Sequence, residues 1–130
     1  MSSASSNYVL DSSAWIEYLD GTAKGDKIKQ LIEQEAHSTS ILAIAEIADR
    51  YARTQHPFQE ALTFIQSKTT ILPLTIAITV IAAHLKRDIR KKNNKFGLAD
   101  AIHLATSNQH KAVLITTDTD FRGCDKVMII

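Results

Sequence analysis

The sequence predicts one α/β domain whose mostly parallel sheet is covered by helices on both faces. Short, β-prone apolar runs alternate along the chain with helical segments, which is the pattern of βαβ units. The length of 130 residues holds one domain with one core and leaves no room for a second. A composition 45% hydrophobic and 22% charged is that of a folded globular chain rather than a disordered one.

The elements follow in order. Tyr8-Val9-Leu10 is a short β-prone run that stops at Asp11. Ser12-Ser13 offer N-cap chemistry for a short helix over Ala14–Leu19, which Gly21 ends. A second helix is expected to start at Asp26, with Ile28, Leu31 and Ile32 on one face. His37–Ser40 is a strand candidate, and Ile41–Arg53 reads as a helix with an apolar stripe of Leu42, Ala45 and Ala48. Pro57 marks a boundary before a helix over Phe58–Gln66. Thr70–Leu74 is strand-like, with Pro73 as its stop. Ile76–Arg90 is helical, Lys91–Lys95 is a polar loop, and Gly97 precedes a helix over Leu98–Gln109. Ala112–Thr116 has the composition of a buried strand, and Lys126–Ile130 closes the chain as another.

Several classes are disfavoured. Residues 1–7 have neither a basic nor a long apolar region, so they read as a flexible lead-in and not a signal peptide. The longest apolar stretch, Ile76 to Ala83, is too short to cross a bilayer, so no membrane association is expected. The single cysteine, Cys124, excludes an intrachain disulfide and a cysteine-based zinc cluster, which fits a cytoplasmic protein. A net charge of +1 predicts no partner by itself; a nucleic-acid binder would have to concentrate its cations locally.

Ligands in open parallel sheets bind beyond the carboxyl ends of the strands. Asp11 follows the first strand and Asp118 follows Ala112–Thr116, so both acids belong to that edge. Each also fits a plain turn-capping role. Glu46 lies on the helix Ile41–Arg53 near Asp49, Arg50 and Arg53, and periodicity favours a solvated Glu46–Arg50 pair. Asp100 stands in the first turn of its helix, where the dipole favours an acid whatever its function. His103, three residues on, reads more readily as a packed histidine than as a ligand. Spacing alone therefore gives two strand-end acids and two ambiguous helical ones.

The segments carrying these acids resemble the PIN-domain family, and most closely its VapC-type toxins. Tyr8–Leu19 resembles the opening strand, Asp-Ser turn and first helix; Ile44-Ala45-Glu46-Ile47 the glutamate-bearing helix; Leu98–Thr106 the Asp-Ala helix; and Leu114–Phe121 the Thr-x-Asp-x-Asp-Phe segment. The four stand in the family's order and spacing, and the likeness runs from about Tyr8 to the end. It implies a three-layer α/β/α fold with about five strands. It implies that Asp11, Glu46, Asp100 and Asp118 converge as catalytic and metal-binding acids, with Asp120 as a further metal-site acid and Ser12 and Thr116 as supporting hydroxyls. For both hydroxyls a local turn bond is an equally good reading. The likeness also implies an RNA substrate, a cognate antitoxin and a homodimer.

The chemistry is consistent with that likeness. Clustered carboxylates repel one another, and a divalent cation removes the conflict; oxygen-only donors suit Mg²⁺ or Mn²⁺. Such an ion also offsets the charge of a phosphodiester and lowers the pKa of bound water. Lys86, Arg87, Arg90, Lys91, Lys92 and Lys95 form a basic run that reads either as a phosphate-binding surface or as a solvated helix end. Trp15 is expected to pack rather than to stack on a base. A phosphorelay receiver would want an acidic pair at the first strand, where Ser12-Ser13 follow Asp11 and no acid precedes it. A haloacid-dehalogenase-like phosphatase would want an acid at Ser13. An RNA-processing PIN nuclease and a non-catalytic RNA-binding PIN fold remain as alternatives to a toxin.

Overall fold

A computed structural model of the chain describes residues 6–130. Its elements run β1 (Tyr8–Leu10), α1 (Ser12–Asp20), α2 (Ala23–Gln34), β2 (His37–Ser40), α3 (Ile41–Arg53), α4 (Gln59–Lys68), β3 (Thr70–Leu72), α5 (Ile76–Ile89), α6 (Leu98–Gln109), β4 (Val113–Thr116), a 3-10 turn (Thr119–Phe121) and β5 (Val127–Ile129). The five strands form one sheet in the order β3-β2-β1-β4-β5, every pair parallel. Of the expected lead-in, residues 1–5 lie outside the described residues. Asn7 is tied to the sheet, its N–H donating to Ala36 O (2.8 Å) and its carbonyl accepting from Val113 N (2.9 Å).

Strand alternation divides the interior into two cores. Val9 and Leu114 point to one face, where α5 and α6 supply Ile78, Ala82, Ala101, Leu104 and Ala105, and Phe96 meets Phe121 edge to face. Leu10 and Ile115 point to the other, against Trp15, Ile28, Ile47 and Ile65 of α1 to α4. This is the expected three-layer arrangement. Trp15 is fully buried and its Nε1–H donates to Thr39 Oγ1 at 2.8 Å, as packing and not base stacking requires.

Three local expectations are corrected. Asp11, not Ser12 or Ser13, is the N-cap of α1, accepting from Ala14 N at 3.0 Å. The second helix begins at Ala23, three residues before Asp26, because Thr22 caps it by accepting from Gly25 N. The buried stripe of α3 is Ala43 and Ile47, while Ala45 is exposed. That rotation turns Glu46 off the solvated face and towards α6.

Gly21 ends α1 in the left-handed region (φ 69°), and Gly25 lets α2 close onto α1: a Cβ there would stand 2.1 Å from Glu17 O.

Candidate metal centre at the carboxyl edge of the sheet

In the order β3-β2-β1-β4-β5, the chain's direction of travel across the sheet reverses between β1 and β4. A crevice opens at such a switch point beyond the strand ends. Register places Leu10 opposite Ile115, so Asp11 and Thr116 leave the sheet side by side. Asp11 is 3% exposed and Thr116 fully buried. Thr116 Oγ1 donates to Asp11 Oδ2 (2.6 Å), and Ser13 Oγ donates to Asp11 Oδ1 (2.7 Å). The same hydroxyls hold the next loop: Thr116 Oγ1 accepts from Asp118 N (3.0 Å) and Ser13 Oγ from Thr117 N (3.0 Å). Burial pushes the Asp11 carboxyl above its usual range, and the nearby His103 charge and the hydroxyl and amide donors only partly offset this.

Asp118 Oδ1 accepts from Asp120 N (2.8 Å) and so forms the 3-10 turn, whose Phe121 is buried. Asp100 Oδ2 accepts from Gly97 N (2.9 Å) at the start of α6. The plain capping roles of Asp11 and Asp118 are therefore real, Asp100 adds a capping bond to its first-turn position, and these bonds fix the carboxylates in place. Asp100, Asp118 and Asp120 each bring a carboxylate oxygen within 4.8 Å of the others. Burial, and then the charges of Asp118 and Asp120, push the Asp100 carboxyl up. The cluster holds repulsion that a cation would relieve, and its donors are all hard oxygens. These residues fit Mg²⁺ or Mn²⁺.

Asp11 and Glu46 stand outside this group of three. Glu46 Oε1 lies 2.6 Å from His103 Nε2, and the solvated Glu46–Arg50 pair that periodicity favours does not form. Arg50 reaches Asp20 instead, at 3.9 Å. Burial raises the Glu46 carboxyl, but the His103 bond and charge, with the Ser12 hydroxyl, outweigh it and hold the group below its usual range. Ser12 and Glu46 line the same shallow pocket. Ser13, expected from sequence only to offer N-cap chemistry, serves Asp11 alongside Thr116. In a Ser-Ser pair at a strand end, sequence offers no means of telling which hydroxyl turns back to the acid.

The basic run is exposed apart from the half-buried Lys86. Arg87 and Lys91 pair with Asp88 (3.1 and 3.7 Å), and Arg90 Nη2 donates to Asn94 O (3.0 Å). Asn93 was not singled out by sequence, yet its Nδ2 donates to Asp120 O (2.8 Å) and joins this loop to the acid cluster. A cleft of about 610 Å³ lies beside that junction, lined in part by Lys92, Asn93, Leu104, Asn108 and Arg122.

The fold and site define a parallel α/β protein with a carboxylate centre suited to a divalent cation. More particularly, the chain belongs to the PIN domain family, whose model matches residues 8–127. Solved structures share the fold. A toxin-antitoxin complex from Klebsiella pneumoniae is 23% identical, with a TM-score of 0.76, covering 93% of this chain and 95% of that one. VapBC2 from Rickettsia felis, bound to a DNA fragment from its promoter, is 16% identical (TM-score 0.72, coverage 95% and 96%). VapC20 from Mycobacterium tuberculosis, described as a sarcin-ricin loop cleaving toxin, is 17% identical (TM-score 0.69, coverage 91% and 95%). No curated protein sequence matches the chain.

Proposed function

We propose that this PIN domain is a Mg²⁺- or Mn²⁺-dependent endoribonuclease and the toxin of a VapBC-type pair. The observation that carries the reading is the meeting of Asp100, Asp118 and Asp120 at the switch point of the sheet. These three would hold the cation, with Asp11 and Glu46 contributing from the rim. When bound, the ion supplies charge neutralisation for the phosphodiester and eases the ionisation of water at the site. The chain's own work is positional. Ser13 and Thr116 aim Asp11, Gly97 anchors Asp100, and the 3-10 turn sets Asp118 against Asp120.

RNA is favoured as substrate because one structure of similar fold is described as cleaving the sarcin-ricin loop. A cognate antitoxin is favoured because others of that fold are toxin-antitoxin complexes. A homodimer in the cytoplasm completes the reading; no helix among the described residues is long and apolar enough to cross a membrane. The exposed cations Arg87, Arg90, Lys91, Lys92 and Lys95, with Lys86, would grip the RNA backbone without reading sequence.

The test is cleavage of total RNA with Mg²⁺, Mn²⁺ or chelator. Asp100→Asn is expected to abolish metal-dependent cleavage while circular dichroism stays that of the wild type. Full activity in that variant would refute the assignment.

A further inference from the structure

His103 is 3% exposed in a chain whose other four histidines are only partly buried or exposed. Both ring nitrogens are engaged. Nε2 lies 2.6 Å from Glu46 Oε1 on α3, and Nδ1 lies 3.1 Å from Ser40 Oγ at the end of β2. Glu46 is 36% exposed, and a carboxylate only accepts, so across this contact Nε2 is the donor. Ser40 Oγ also accepts from Ala43 N at 3.2 Å, as the N-cap of α3. One hydroxyl thus starts the helix that bears Glu46 and seats the ring that grips Glu46.

His103 sits one turn along α6 from Asp100, on the same face of the helix. It is not a member of the oxygen cluster formed by Asp100, Asp118 and Asp120. A side chain that only filled the core would bring apolar atoms here. This one brings a donor to a carboxylate and a second nitrogen fixed by a buried serine.

The geometry points to His103 as a positioning residue: through the chain Ser40–His103–Glu46 it holds the Glu46 carboxylate at the rim of the Asp100–Asp118–Asp120 cation site. His103 reaches the ion through Glu46 and does not ligate it. Partners that orient a ligating group from behind are commonly worth about 10- to 100-fold in metal affinity or activity. The inference rests on the cation-site reading above, and the experiment separates the two.

Mn²⁺ binding to the purified chain is measured by calorimetry in wild type, His103→Leu, His103→Gln, Glu46→Ala and the double variant His103→Leu/Glu46→Ala. His103→Leu is expected to weaken Mn²⁺ binding about tenfold or more. Gln keeps an N–H donor of similar reach, so His103→Gln is expected to recover most of that loss. In the double variant the losses should not add, because both substitutions cut the same link. A protected, downfield His103 Nε2–H signal in wild type that disappears in Glu46→Ala, which removes the acceptor, gives a readout that does not depend on the folding of any His103 variant. Wild-type Mn²⁺ affinity in His103→Leu, additive losses in the double variant, or absence of that proton signal would overturn the positioning role and leave the cation site standing. Failure of the wild-type chain to bind Mn²⁺ would overturn both.

Discussion

Thr116→Val tests the join between β1, β4 and the acid loop with little change of shape. The side chain is fully buried, and its hydroxyl donates to Asp11 Oδ2 at 2.6 Å while accepting from Asp118 N at 3.0 Å. Losing a hydrogen bond to a carboxylate costs about 1.5–3 kcal/mol, and stranding a half-buried N–H about 1 kcal/mol more. The added buried methyl returns roughly 0.8 kcal/mol. The net is a loss of about 2 kcal/mol in urea unfolding. The effect on cleavage should be larger, about 100-fold, because Asp11 and Asp118 both lose their fixed position and small misplacements at a reacting centre are costly. Thr116→Ser keeps the hydroxyl and should lose only about 1 kcal/mol of methyl burial while retaining most of the activity. If Val and Ser prove equally stable and equally active, the hydroxyl has no positioning role and the reasoning fails.

Three further outcomes are expected. Asp11 has a raised carboxyl pKa in the folded chain, so the folded state favours its protonated form. Its contribution is full below the ordinary carboxylate range and is lost as pH rises through the raised value. In chelator at pH 7, Asp11→Asn should therefore be more stable than wild type, and the gap should close on acidification; urea unfolding across pH checks this, and an Asn variant less stable at every pH would contradict it. Gly25→Ala drives a Cβ to 2.1 Å from Glu17 O, so α1 and α2 must separate, at a cost of about 3 kcal/mol by the same assay. Neutralising Lys91 and Lys92 should weaken RNA binding at every sequence and flatten the salt slope by about 1.4, as for two single-strand phosphate contacts; an unchanged slope would assign the pair to a solvated surface.

The strands and helices were legible because short apolar runs and cap residues are local signals. Asp11 and Asp118 were legible because strand-end acids in a parallel sheet share an edge. The orientation of α3 was not. Its run Ile41-Leu42-Ala43-Ile44-Ala45 is apolar on every face, so periodicity cannot choose a stripe, and packing against α1 and α6 makes the choice. The charged neighbours Asp49, Arg50 and Arg53 suggest a solvated face for Glu46, and only the packing of Ala43 and Ile47 turns it towards α6. β2 hid its role in another way. His37-Ser38-Thr39-Ser40 looks too polar for an interior strand, yet Ser38, Thr39 and Ser40 are buried. Each hydroxyl finds a partner far along the chain: Ser6, Trp15 and His103. Such pairings exist only once the fold has formed, so the link from Ser40 through His103 to Glu46 leaves no mark in local spacing.

Crystals of the chain grown with Mn²⁺ and measured for anomalous scattering put the carboxylate centre directly to the test. The account predicts one strong peak within coordination distance of oxygens of Asp100, Asp118 and Asp120, and its loss in Asp100→Asn. A Mn²⁺ ion bound elsewhere, or an empty centre at saturating Mn²⁺, would contradict it.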